Sequence, residues 1–135
     1  VLKSPKILID DYAHHPKEIQ AIQDSVFSLY PEKIIMAIFQ PHLFSRTRDF
    51  MDEFAKTLSM FHEIVLLDIY PARDEPIKGV NSKELLNRMN NNNKKLLKKV
   101  ELVNHIINSN ADVIVIMGAG DIANEVEKIK NAILI

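Results

Sequence analysis

A chain of 135 residues is long enough for one domain with a buried core, and 47% hydrophobic against 26% charged residues is an ordinary globular balance. A formal net charge of -1 gives no electrostatic case for nucleic acid or an anionic membrane surface. The absence of cysteine excludes disulfides, thiolate zinc sites and cysteine nucleophiles, and suits a reducing, cytoplasmic compartment.

No apolar run approaches the roughly 18 residues of a membrane span, and no basic-then-apolar leader precedes the first strand. The chain opens on Val1 rather than Met, so a longer parent protein is expected. Lys6–Tyr12 reads as a strand whose continuous apolar centre suits burial on both faces. Pro16 fits the first position of a helix, with His15 near its N-cap. Ile19, Ile22, Val26 and Leu29 continue that helix until Pro31. Lys33–Gln40 is a second buried-type strand, broken by Pro41. A loop then carries His42, Arg46 and Arg48 into a helix over Thr47–Phe61.

Glu63–Tyr70 is a third strand, followed by an irregular segment from Pro71 to Val80. Asn81 and Glu84 resemble a capping box for a helix over Ser82–Met89. Asn90–Lys95 reads as a solvated connection, Leu96–Val100 as a short strand and Leu102–Ile107 as a short helix. Asp112–Met117 is a fifth strand. Gly118-Ala119-Gly120 is a tight turn, Asp121 an N-cap, and Ile122–Ile133 the last helix. Alternating strands and helices imply a parallel sheet covered on both faces. The turns at Asp11–His15, His42–Arg48, Tyr70–Glu75 and Gly118–Asp121 would then line one cleft. This pattern does not give the strand order.

Two turns concentrate chemistry. Asp10-Asp11-Tyr12-Ala13-His14-His15-Pro16 packs two carboxylates, a phenol and two imidazoles between a strand and a helix. Asp11 is placed to accept from ribose hydroxyls, and a neutral His beside a helix N-terminus can donate to phosphate or relay a proton. A metal site from Asp11, His14, His15 and His42 is the sharper alternative. Adjacent histidines on a turn seldom face one metal, however, and no HxH or HxxxH spacing is present. In Gln40–Arg48, Arg46 and Arg48 are expected at or just before a helix N-terminus, the unfavourable end for cations. Asp49 and Asp52 offset them, or an anionic ligand completes the site. Gly118-Ala119-Gly120 lacks the third glycine of a dinucleotide fingerprint and reads as a tight turn. Tyr70–Glu75 is left open between cleft wall and surface loop. His62 and His105 are isolated and read as structural or exposed.

The ordered set DDYAHHP, FQPHLFSRTRDF, LLDIYPARDEPIKGV and MGAGDI resembles the C-terminal domain of the Mur ligases, the ATP-dependent amide-forming enzymes of peptidoglycan synthesis. Asp-Tyr-Ala-His alone is shared with folylpolyglutamate ligases. His-His-Pro together with Gln-Pro-His-x-x-x-Arg-Thr-Arg is similar to the members that join L-alanine to UDP-N-acetylmuramate. A related murein-peptide recycling ligase has a similar turn, usually with Phe where this chain has Tyr12. The resemblance implies a Rossmann-like three-layer αβα fold with a mostly parallel sheet of five or six strands. It implies that residues 1–135 form one domain of a three-domain enzyme, the N-terminal and central domains of the same chain being its partners. ATP and Mg2+ are held mainly by the central domain, and no GxxxxGK[ST] occurs in this chain.

Carried over, Asp11, Tyr12 and His14 face ATP, while His42, Arg46, Arg48 and Tyr12 receive L-alanine. His14 is the one catalytic candidate, no residue is a metal ligand, and the isolated domain is expected to be inactive. Leu43-Phe44 departs from the more polar or basic pair of many relatives. Rival readings are a free-standing nucleotide-binding Rossmann-type module and a non-catalytic interaction domain.

Overall fold

The computed structural model describes residues 6–133. Strands β1 (Ile7–Asp11), β2 (Ile35–Phe39), β3 (Glu63–Leu66), β4 (Lys94–Leu96) and β5 (Val113–Met117) form one sheet in the order β1-β5-β2-β3-β4. Every neighbouring pair is parallel, so all carboxyl ends share one edge. The helices are α1 (Pro16–Leu29), α2 (Phe44–Asp49), α3 (Met51–Leu58), α4 (Ser82–Arg88), α5 (Leu102–Asn108) and α6 (Ala123–Ile133). The fold is the expected α/β, Rossmann-like one, with five strands among the described residues.

Pleating divides the core in two. Ile35, Ala37 and Phe39 of β2 pack with Ile19, Val26, Phe54, Leu58 and Leu85 from α1, α3 and α4. Met36 and Ile38 point the other way, onto Leu102 and Ile106 of α5 and Ile129 and Ile133 of α6. The central strands β2 and β5 are buried at every position, as their unbroken apolar runs demand. Connections leaving β1, β2 and β3 thus cross one face, and those leaving β4 and β5 involve the other. The switch falls between β2 and β5, where loops diverge to opposite faces and open a crevice.

Several local expectations need correction. β1 is an edge strand, half-buried at Ile7–Ile9 and exposed at Asp10 and Asp11, not covered on both faces. The helix placed over Thr47–Phe61 starts earlier and is two helices, α2 and α3, divided at Phe50 (φ -121°, ψ 20°). Its true start lacks a local capping residue. The Asp74 carboxylate supplies the cap instead, accepting from the Ser45 amide at 2.8 Å and the Ser45 hydroxyl at 2.9 Å. Such a long-range cap leaves no trace in local sequence.

The fourth strand lies at Lys94–Leu96 rather than Leu96–Val100, and the segment read as a solvated connection is anchored. Asn91 donates to the Ser59 and Phe61 carbonyls, and the Lys94 ammonium caps the carboxyl end of α4 through the Leu86 and Met89 carbonyls. Asn81 does cap α4, accepting from the Glu84 amide at 2.8 Å. Asp121 does not cap with its carboxylate. The Ile122 amide donates to Gln40 Oε1 at 3.0 Å instead.

The glycines of the last turn serve close packing. Gly118 adopts φ +153°, and a Cβ there would lie 2.8 Å from Ile122 Cγ2. A Cβ on Gly120 would lie 2.5 Å from Tyr70 Cγ and 2.7 Å from Gln40 Oε1. Gly120→Ala should therefore destabilise the chain by about 1–3 kcal/mol, the usual penalty of overpacking. Urea denaturation measures this, and an unchanged midpoint would show that the turn can retreat from Tyr70.

Candidate functional site

The four carboxyl-edge turns meet as expected, and one side chain holds the junction. Gln40, 3% exposed, follows β2 directly. Its amide Nε2 donates to Asp121 Oδ1 at 2.6 Å, its Oε1 accepts from the Ile122 amide, and its backbone N–H donates to the Met117 carbonyl at 3.1 Å. Asp121 also pairs with Lys99, which reaches in from the short 3-10 turn Lys99–Glu101. Partial burial pushes the Asp121 carboxyl up, but hydrogen bonds from Lys99 and Gln40 outweigh it and leave it below the usual carboxylate range. A cavity of about 320 Å³ opens beside this junction, lined in part by Gln40, Asp68, Tyr70, Lys98, Lys99 and Asp121. Sequence pattern alone does not mark Gln40 and Lys99 as site-forming residues. Their partners are distant in the chain, and only a polar residue ending a buried strand hinted at Gln40.

Beyond Gln40, Pro41 leads to His42. The Tyr70 amide donates to the Pro41 carbonyl at 2.8 Å, and the Leu43 amide donates to the Tyr70 carbonyl at 2.9 Å. These two bonds form an isolated parallel bridge between His42 and Tyr70. Their rings stack with centroids 5.7 Å apart and planes 12° from parallel. Leu43 then takes φ +74°, ψ 137°, a conformation costing an L-residue about 1–3 kcal/mol. Its carbonyl accepts from both the amide and the hydroxyl of Thr47, which seats α2.

Arg46 Nη1 lies 3.1 Å from His42 Nδ1. Guanidinium can only donate, so Nδ1 is the acceptor and the ring proton sits on Nε2. Partial burial, then Arg46, then His14 hold His42 below the ordinary imidazole range, consistent with a neutral ring. Arg46 and Arg48 occupy the last turn of α2, the favourable end for cations, which overturns the expectation that they oppose the helix dipole. What marks Arg46 is its pairing. Arg48 binds Asp49 at 2.9 Å, and Arg88 binds Asp52 and Glu84. Among the described residues Arg46 has no carboxylate partner, although it is half-buried.

The first turn brings Tyr12 and His14 to the same place. Asp11 Oδ1 accepts from the Ala13 amide at 2.9 Å, which leaves the second oxygen free to accept. His14 Nδ1 lies 2.9 Å from the Tyr12 carbonyl and must donate to it, so a neutral His14 carries its lone pair on Nε2. The His14 ring is edge-on to Tyr12 at 5.8 Å and to His42 at 6.2 Å. Tyr12 is 69% exposed. His15 stands apart from this group, with Nδ1 capping α1 at Lys17 and its ring against Phe50 at 4.7 Å. His62 and His105 are structural. His62 Nδ1 accepts from the Ile35 amide, and His105 bonds Glu63 at the amino end of β3. Among the described residues no cluster of three or more His, Asp or Glu is placed to hold a metal ion.

A parallel sheet whose carboxyl-edge turns bring His14, His42 and a half-buried Arg46 together defines a Rossmann-like α/β domain. The family described as Mur ligase, glutamate ligase domain, matches residues 1–120, and the chain belongs to that family. It is 54% identical over 134 residues to the UDP-N-acetylmuramate–L-alanine ligase of Christiangramia forsetii, covering 99% of this chain and 30% of that protein. Among solved structures, the UDP-N-acetylmuramate–alanine ligase of Thermotoga maritima aligns with a TM-score of 0.68 and 26% identity over 92% of this chain and 26% of its own. A murein peptide ligase of Psychrobacter arcticus aligns with a TM-score of 0.71 over 98% of this chain and 29% of its own; at 18% identity it shows the shared fold. The chain spans about 30% of the length of the curated relatives it matches.

The depressed His42 fixes a sign for pH. A histidine whose folded pKa lies below its unfolded value contributes stability above about pH 6.5 that is lost on acidification, because the unfolded chain then binds the extra proton. Between pH 7.5 and 5 the wild-type chain should lose more stability than His42→Gln in parallel urea titrations. Equal losses would show that His42 is not held neutral.

Proposed function

We propose that this chain is the C-terminal, amino-acid-presenting domain of a UDP-N-acetylmuramate–L-alanine ligase. The observation that carries this reading is Arg46, a half-buried guanidinium that among the described residues has a neutral imidazole as its side-chain partner and no carboxylate. An amino-acid carboxylate supplies the missing anion, and arginine binds it in two-pronged geometry. His42 Nε2–H adds a second donor beside it, and the exposed Tyr12 ring forms a wall. Arg48 is the weaker candidate for this role, since Asp49 already engages it.

The name carried by the relatives, at 54% identity, supports alanine as the added group over the peptide of a recycling ligase. In such a reaction the muramoyl carboxylate takes the terminal phosphoryl group of ATP to give an acyl phosphate and ADP, and the alanine amine attacks its acyl carbon, forming the amide and expelling inorganic phosphate. The task of this domain is to orient the amine, which accelerates the attack by proximity. In this reading His14 Nε2, whose lone pair has no partner among the described residues, accepts the proton that the amine sheds.

Asp11 fits an ATP ribose, having one carboxylate oxygen unengaged at the sheet edge, and Tyr12 and His14 flank it. The chain has no phosphate-cradling GxxxxGK[ST], so the triphosphate and Mg2+ are assigned to the central domain of the parent enzyme. UDP-N-acetylmuramate is assigned to the N-terminal one. Among the described residues no helix is long and apolar enough to cross a membrane, and the reading places the enzyme in the cytoplasm.

Two measurements test the proposal. The 135-residue chain alone should neither hydrolyse ATP nor ligate alanine, and turnover by it would overturn the reading. In the full-length enzyme Arg46→Ala should raise the KM for L-alanine about 100-fold, in keeping with loss of one charged hydrogen-bonded contact, while the KM for ATP changes little. Equal rises in both would remove Arg46 from the carboxylate.

A further inference from the structure

Tyr70 belongs to the loop after β3, outside every residue assigned so far to a ligand, yet it touches His42 in three ways. Its amide binds the carbonyl before His42, its carbonyl binds the amide after it, and its ring stacks nearly parallel to the imidazole with centroids 5.7 Å apart. The ring is itself held from behind by the turn at Gly120, where even a methyl group would collide with it. Around the His42 ring, Tyr70 takes a face, Arg46 takes Nδ1, and His14 stands edge-on. Among the described residues Nε2 has no hydrogen-bond partner.

We infer that Tyr70 is a positioning residue for the amino-acid site: its ring fixes the plane of His42, so that Nδ1 stays on Arg46 while Nε2–H points to the incoming carboxylate. The inference rests on the reading of Arg46 as the carboxylate anchor. An unstacked imidazole rotates about its χ angles, and each rotation swings Nδ1 off the guanidinium. Arg46 then loses its imidazole partner and the fixed geometry that two-pronged capture requires. Arg46 and His14 are the charged or titratable groups facing His42 from α2 and from the β1–α1 turn, and both oppose its protonation.

The test uses the full-length ligase with Tyr70→Leu, Tyr70→Ala, Tyr70→Phe and Arg46→Ala, each assayed for the KM of L-alanine and of ATP, for kcat, and for kcat/KM against pH. Tyr70→Leu and Tyr70→Ala should raise the alanine KM about 3- to 10-fold, the factor matching the strength of an aromatic stack. They should leave kcat and the ATP KM within about twofold, since the stack touches neither the reacting atoms nor the nucleotide residues. The acidic limb of kcat/KM for alanine should move to higher pH in both. Tyr70→Phe keeps the ring and should match wild type in each readout. If Tyr70→Ala fails to fold, Tyr70→Leu retains bulk at Gly120 and carries the comparison. Tyr70→Leu with a wild-type alanine KM and pH profile would overturn the inference, as would parallel rises in both KM values. Arg46→Ala separates the levels. If it leaves the alanine KM unchanged, the site reading itself falls. If it raises that KM while Tyr70→Leu does not, only the positioning role falls.

Discussion

The site depends on one buried amide. Gln40 spends both ends of its side chain across the β2–β5 switch point, donating to Asp121 and accepting from Ile122. A buried amide left unpaired is costly, so the two loops it joins are held at a fixed separation. Pro41 and His42 leave from that point, the glycine turn packs onto it, and Lys99 is drawn in through Asp121. Asp or Glu could not do the same work, since neither can donate and accept across the gap when ionised. The placement of His42 and Arg46 is therefore inherited from a bond that neither residue makes.

A sequence of dependencies follows from there. Gln40 sets the exit of β2, and Tyr70 brackets His42 by backbone and ring. Asp74, in the same loop as Tyr70, caps α2 and so places Arg46. The loop after β3 thus supports both His42 and Arg46, one through a stack and one through a helix cap. Ser45 holds the Asp74 carboxyl below the usual carboxylate range through its amide first and its hydroxyl second. That support persists at neutral pH and is lost only as acid protonates the carboxylate. The irregular segment looked unusually long for a connection because it carries this load.

Much of the architecture was legible because it follows from periodicity. Unbroken apolar runs marked β2 and β5, Pro16 and His15 marked the start of α1, and Asn81 marked that of α4. The convergence of the four turns followed from parallel topology alone. The failures share a physical cause, which is that the deciding partner was remote. α2 is capped from 29 positions away by Asp74, β4 is set by Asn91 and Lys94 reaching to neighbouring helices, and Asp121 is claimed by Gln40 and Lys99. The edge position of β1 needed the strand order, which the pattern did not give. The family motifs indicated His42 and Arg46 as site residues, but not that one is the other's hydrogen-bond acceptor.

Leu43 has a consequence for motion. Its positive φ lies between His42 and α2 and stores about 1–3 kcal/mol in the folded chain. Local opening that releases this residue recovers that energy, and the bonds from Leu43 to Tyr70 and Thr47 oppose it. The strained residue thus sits in the backbone between His42 and Arg46, while Gln40 keeps the frame closed a few residues away. A carboxylate bound across His42 and Arg46 would bridge the two sides of that residue, and occupancy would appear as slowed amide exchange at residues 42–47 with the sheet unaffected.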